Sequence, residues 1–162
     1  MRVFFLILAL FFLSSVTFGA QTSKEDGGNV PTYIEAKSAF SDNKKRITEF
    51  KDNVVVIRGD LKIYCDRLIV ETDENNRIKK ATAIGNVKVV KGDLTVVSQI
   101  AYYFPNEDKV IFEGNPKAIK GKDVVTGSRI TYYLKEERSI VESNKSKGKV
   151  NVIIAPKTEE KK

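Results

Sequence analysis

The side chains able to do covalent or acid–base chemistry in this chain are few. Of its 162 residues none is a histidine and only one, Cys65, is a thiol, so the usual general base and the commonest metal ligand are both missing. Asp60, Asp93 and Asp123 recur in Arg58-Gly59-Asp60, Lys91-Gly92-Asp93 and Lys120-Gly121-Lys122-Asp123. Recurrent carboxylates can share a proton or hold calcium. A carboxylate beside glycine between two apolar runs is turn chemistry, and all three read that way. Tyr102, Tyr103, Tyr132 and Tyr133 offer faces of the kind on which single-stranded bases stack, but their alternation with aliphatic residues assigns them to walls and core. There is no phosphate-cradling glycine loop, no nucleophile elbow and no cysteine pair for zinc. The sequence therefore predicts no catalytic residue, no metal, no cofactor and no nucleic-acid partner.

The elements that carry these residues repeat. Asn53 to Cys65 reads NVVVIRGDLKIYC, Asn86 to Ser98 reads NVKVVKGDLTVVS and Asn115 to Gly127 reads NPKAIKGKDVVTG. Asn stands first in each block, Gly seventh and a small residue thirteenth. With Ala36 and Asn144 extending the series, the small residues recur with periods of 29, 33 and 29. About four copies of one unit are stacked, and stacking is what lets such a unit bury its apolar face.

Within the unit the alternation has period two, the strand period. Phe50, Val54, Val56, Leu61, Ile63, Ala83, Val87, Val89, Leu94, Val96 and Phe112 share the inward face. Beyond the small residue the phase changes, so that Leu68 and Val70 match Ala101 and Tyr103, and Ile130 and Tyr132. A phase change at one repeated place predicts a bulge or corner at the small residue. Ser41-Asp42-Asn43, Asp73 to Asn76, Pro105 to Asp108 and Lys135 to Glu137 are polar reversals. Together they predict an all-β chain of about nine long strands, more if each breaks at its corner. Asn115-Pro116 departs from the Asn-Val of its sister blocks, and Pro116 cannot donate to a ladder.

The first 19 residues read as a cleavable secretory signal: Arg2, an apolar run of 11 from Val3 to Leu13, and a small-residue exit. Cleavage after Gly19 places Thr17 at the minus-three position. The alternative, an uncleaved anchor, falls short of the roughly 20 apolar residues a span needs. Residues 20–31 form a polar leader, 32–156 the β domain and 157–162 a charged tail. With one cysteine there is no internal disulfide, so the fold rests on its core even in an oxidising compartment, and Cys65 takes the small, buried place of Ser98 and Gly127. The formal charge is +7, or +6 once Arg2 leaves with the signal. Scattered charge of this kind suits an anionic partner or simply a solvated surface.

The repeated Asn-Val, Gly-Asp-Leu and small-Asp pattern, the segment Ile130-Thr131-Tyr132-Tyr133-Leu134-Lys135-Glu136 and the closing Lys147-Gly148-Lys149-Val150 with Ala155-Pro156-Lys157 resemble the OstA-like lipopolysaccharide-transport family, over nearly all of the mature chain. The resemblance is greatest to that family's periplasmic bridge member. It implies an elongated, twisted β-jellyroll, open at both ends, that carries lipopolysaccharide across the periplasm with the lipid A acyl chains in its apolar interior. It makes the inward column, with Leu68 and Ile130 added, the lipid-binding set. It also implies two partners, an inner-membrane-anchored jellyroll protein and the periplasmic domain of the outer-membrane translocon, with head-to-tail self-association. Open sheet edges account for that physically, and place Ile34, Ala36, Val150, Val152 and Ile154 at the docking ends. Two readings from other classes stand beside it: a structural or carbohydrate-binding envelope protein, and an enzyme acting on envelope polymers.

Overall fold

A computed structural model describes residues 30–143 and 148–154. The expected signal, the leader up to residue 29, Asn144, Pro156 and the charged tail lie outside the described residues. Twelve antiparallel strands form one connected sheet: β1 (Tyr33–Glu35), β2 (Ser38–Asp42), β3 (Ile47–Arg58), β4 (Leu61–Thr72), β5 (Ile78–Lys91), β6 (Leu94–Phe104), β7 (Lys109–Glu113), β8 (Lys117–Lys120), β9 (Asp123–Thr126), β10 (Arg129–Tyr133), β11 (Arg138–Glu142) and β12 (Asn151–Ile153). One turn of 3-10 helix, Pro105–Glu107, joins β6 to β7.

The sheet is folded into two layers by the register of its pairs. The first layer contains β1, the second half of β3, the first half of β4, the second half of β5, the first half of β6, then β8, β9 and β12. The second layer contains β2, the complementary halves of β3 to β6, then β7, β10 and β11. The strand count exceeds the sequence expectation because β3 to β6 cross the corner unbroken while the outer repeats are cut in two there.

The corner itself corrects the sequence reading. The ladders slip between Lys51 and Val54, between Tyr64 and Arg67, and between Ile84 and Val87. The extra residues are Asp52-Asn53 and Gly85-Asn86, on the strand opposite the small residue. Asn53, Asn86 and Asn115 take φ of 54°, 47° and 57°, a left-handed conformation that Asn accepts more readily than other residues with a Cβ. This is why Asn opens every block. The small residues lie inside the bend, where Cys65 pairs with Val54 and Ser98 with Val87, and both pairs are buried. In the third repeat Gly114-Asn115-Pro116 separates β7 from β8. Pro116 is buried and lies outside both ladders, so its missing N–H disrupts neither.

The turns follow the local sequence. Gly59, Gly92 and Gly121 open the two-residue hairpin loops with φ of 59°, 57° and 59°. At the opposite tips carboxylates organise the backbone: Asp42 Oδ1 accepts from the N–H of Lys44 and Lys45, each at 3.0 Å, and Asp73 Oδ1 accepts from Asn75 at 2.8 Å and Arg77 at 3.0 Å. These N–H donors hold both carboxyls below the usual carboxylate range.

Candidate functional site

Between the layers runs one apolar face, and its exposure is graded. At the fold line Val54 and Val87 are each 1% exposed, with Cys65, Leu68, Ala83, Val96, Ala101, Phe112 and Ile130 buried beside them. Two residues further from the fold burial is mixed: Val56 and Val96 stay buried, while their partners Ile63 and Val89 in the first layer, and Val70, Ala81 and Val110 in the second, are half-buried. At the first layer's lip Leu61 and Leu94 are half-buried as well. Exposure therefore rises from the fold line toward the first layer's hairpin tips, where Leu61 and Leu94 are half-buried and Lys91 and Lys120 exposed. A filled sandwich would instead bury each column along its whole length.

The sequence-derived inward residues all fall on this face. Val54, Val56, Leu68, Ala83, Val87, Val96, Phe112 and Ile130 are in the buried floor, while Phe50, Leu61, Ile63, Val89 and Leu94 flank it or lie toward the hairpin tips. Missing from the sequence-derived set were Ala101, Ala118, Val141 and Val110, which pack in or against the floor. Parity counted back from Phe112 finds Val110. Ala118 and Val141 lie in the short outer strands, whose layer is settled by pairing to β6 and β10.

The open ends lie where the expected docking residues are. In the first layer the edge strands are β1 and β12, and in the second β2 and β11. Ile34 is exposed and Ala36 packs against the core. Val150 precedes β12, and Val152, Ile153 and Ile154 are 55%, 62% and 77% exposed. Val152 pairs with Val125 and Ile153 with Val124, so both faces of the last strand carry uncovered aliphatic surface.

The polar groups are arranged for structure rather than reaction. Asp66 Oδ2 accepts from Asn86 Nδ2 at 2.8 Å across the outside of the bend. Ser98 Oγ donates to the Ile100 carbonyl at 3.0 Å. Ion pairs line the second layer: Arg67 and Lys51 with Glu49, Lys80 with Glu71, Arg129 with Glu113 and Glu142, and Lys135 with Asp108. Glu113 raises the Arg129 guanidinium above its ordinary value, as Asp108 does for the Lys135 ammonium. No group of His, Cys, Asp and Glu side chains suited to a metal occurs among the described residues, and no helix among them is long and apolar enough to cross a membrane.

Burial pushes the Cys65 thiol up to about 11. It should therefore resist iodoacetamide at pH 8 in the native protein and react fully in denaturant, because the thiolate is the nucleophile. Equal rates in both conditions would mean that the bend is open. A raised folded pKa stabilises the protonated fold below the ordinary value of 9.0 and loses that contribution as pH rises through about 11.

Residues 33–138 match the family described as LptA/(LptD N-terminal domain) LPS transport protein. Among solved structures, the chain is similar to LptH of Pseudomonas aeruginosa, titled the LptA homologous periplasmic component of the conserved lipopolysaccharide transport device. The TM-score is 0.70 at 18% identity, covering 78% of this chain and 96% of that one. No curated relative matches the chain.

Proposed function

Because the chain belongs to the LptA/LptD N-terminal family of lipopolysaccharide transport proteins, we propose that it is an exported periplasmic bridge that holds lipid A acyl chains between its two layers. The observation that carries this reading is the graded exposure of one apolar face. Apolar side chains left half-exposed on the two walls face water, and acyl chains laid between them would cover that surface at about 25 cal/mol per Å² removed from water. Sugars and phosphates would remain outside, in water. Such a carrier binds and releases without covalent chemistry, in keeping with a buried, protonated Cys65 and carboxylates committed to turns.

A photoreactive residue at Ile63, on the inner face, should capture lipopolysaccharide in cells, whereas one at the adjacent outward Lys62 should not. Equal capture at the two positions would reject the groove. The same experiment separates this reading from a structural or carbohydrate-binding envelope protein, which would crosslink to neither acyl chain.

The ends supply the means of bridging. A strand edge exposes unpaired N–H and C=O groups that can pair with another chain, and contact between unlike ends does not close on itself. The edge at β1 and β2, with Ile34 and Ala36, and the edge at β11 and β12, with Val150, Val152 and Ile154, would join copies of this protein, an inner-membrane-anchored jellyroll and the periplasmic domain of the outer-membrane translocon. Deleting residues 149–162 should leave a folded, lipid-binding monomer that no longer joins its partners. Concentration-dependent oligomers equal to those of the full chain in sedimentation would move the joint elsewhere.

A further inference from the structure

Charge is distributed differently on the two layers: among the described residues, the first carries cations without ion pairs on its outer face, at Lys62, Lys88 and Lys117, and also on its groove side at the lip. The cations of the second layer described above are each matched to a carboxylate. In the first layer, Lys91 and Lys120 have no carboxylate within ion-pair distance among the described residues. Strand register puts them on one row, running Arg58, Leu61, Lys91, Leu94, Lys120 across β3, β4, β5, β6 and β8, with Asp123 of β9 next in the row beside Lys120. Lys91 shares the parity of Val87 and Val89, and Lys120 that of Ala118, so both stand on the groove side of their strands. Arg58 occupies the equivalent place in the first repeat and is engaged within the chain.

The first layer's lip is thus an alternation of exposed cation and half-buried leucine, with a cation on every second strand, or about 9.5 Å apart at ordinary strand spacing. Three cations in a row with a single carboxylate, Asp123, at its end repel one another, and long lysine stems can lie along apolar surface while their ammonium groups stay in water. A ligand that relieves this repulsion must bring anionic groups directly beside hydrocarbon.

We propose that Lys91 and Lys120 form an anion-binding lip for the phosphates of the amphiphile whose acyl chains occupy the groove, which orients its head at the first layer and its chains toward the fold line. This rests on the groove reading above. The position is written into the repeat, where the residue before each hairpin glycine is Arg58, Lys91 or Lys120.

Binding of phosphorylated lipid A and of the same lipid after phosphatase treatment would be compared for the full chain and three double variants. Lys91→Gln with Lys120→Gln should weaken the phosphorylated lipid about tenfold, the scale of a charged hydrogen bond or two, and leave the dephosphorylated lipid unchanged. Lys91→Arg with Lys120→Arg should restore affinity. Lys62→Gln with Lys88→Gln, an equal charge change on the outer face, should have no effect. An equal loss for both lipids, no loss, or the same loss from the outer pair would overturn the lip while leaving the groove in place. Inorganic phosphate bound as tightly as the phosphorylated lipid would also overturn it, as a free anion site. A full chain that binds neither lipid would end the groove reading, and the lip with it.

Discussion

Phe112→Ala is expected to lower stability by about 3–5 kcal/mol, the usual cost of emptying a buried aromatic site, and the thermal midpoint by roughly 10 °C or more. Phe112 is 4% exposed and pairs with Ala101 of β6 on one side and Ile130 of β10 on the other. Both neighbours are held by strand ladders, so little can collapse into the space left behind. Ile63→Ala removes a side chain of similar chemistry from a half-buried place near the mouth and should cost clearly less, while reducing lipid capture. Thermal melts of the two variants, with lipid binding measured alongside, check the assignment of floor and mouth. Equal destabilisation by both would mean a uniformly filled core and no groove.

The second large effect is expected at Gly85. A Cβ there would lie 2.3 Å from Asp66 Oδ2 and 3.1 Å from Asp66 Cβ, at a φ of 78°. Gly85→Ala therefore meets both a backbone penalty of about 1–2 kcal/mol and a clash with the side chain that braces Asn86 across the bend, and about 3 kcal/mol in all is expected. Gly92→Ala supplies the comparison: its φ is 57°, but nothing lies within 4 Å of the added carbon, so only the backbone penalty applies. Combining Gly85→Ala with Asp66→Ala removes the closest contacts, and the double variant should be less destabilised than the two single changes summed. Additive losses would show that Asp66 does not press on the corner. Gly114, under Gln99 with a built Cβ 2.5 Å from its Cβ, repeats the arrangement one unit later.

These two sites mark how far the sequence could be read. Phe112 was legible as an inward residue because a strand alternates its side chains strictly, so parity within a run needs no partner to be known. The hairpin glycines were legible for a similar reason, since a tight reversal between two apolar runs demands positive φ locally. Gly85 was not singled out, because what requires a glycine there is the side chain of Asp66, 19 residues away and brought over it only by the pairing of β4 with β5. The bend was assigned to Cys65 and Ser98, where the alternation visibly slips, yet the extra residues belong to the facing strands. A single strand records that a register shift exists, and both strands together decide which of them carries it.

The sequence by itself determined the β class, the repeat and the face on which each strand residue lies, all consequences of short-range periodicity. It also determined that the inner face is apolar and that a cation precedes each hairpin glycine. Only the tertiary structure decided which half of each repeat joins which layer, and therefore that Val54 and Val87 are buried at the fold line while Ile63 and Val89, further out, are half-buried. It alone decided that Arg67, Lys80 and Arg129 find carboxylates in the second layer while Lys91 and Lys120 stand in a row on the lip of the first. Burial and ion pairing depend on which distant segments share a ladder and where the ladder bends, and those distances are set by long-range register rather than by neighbours along the chain.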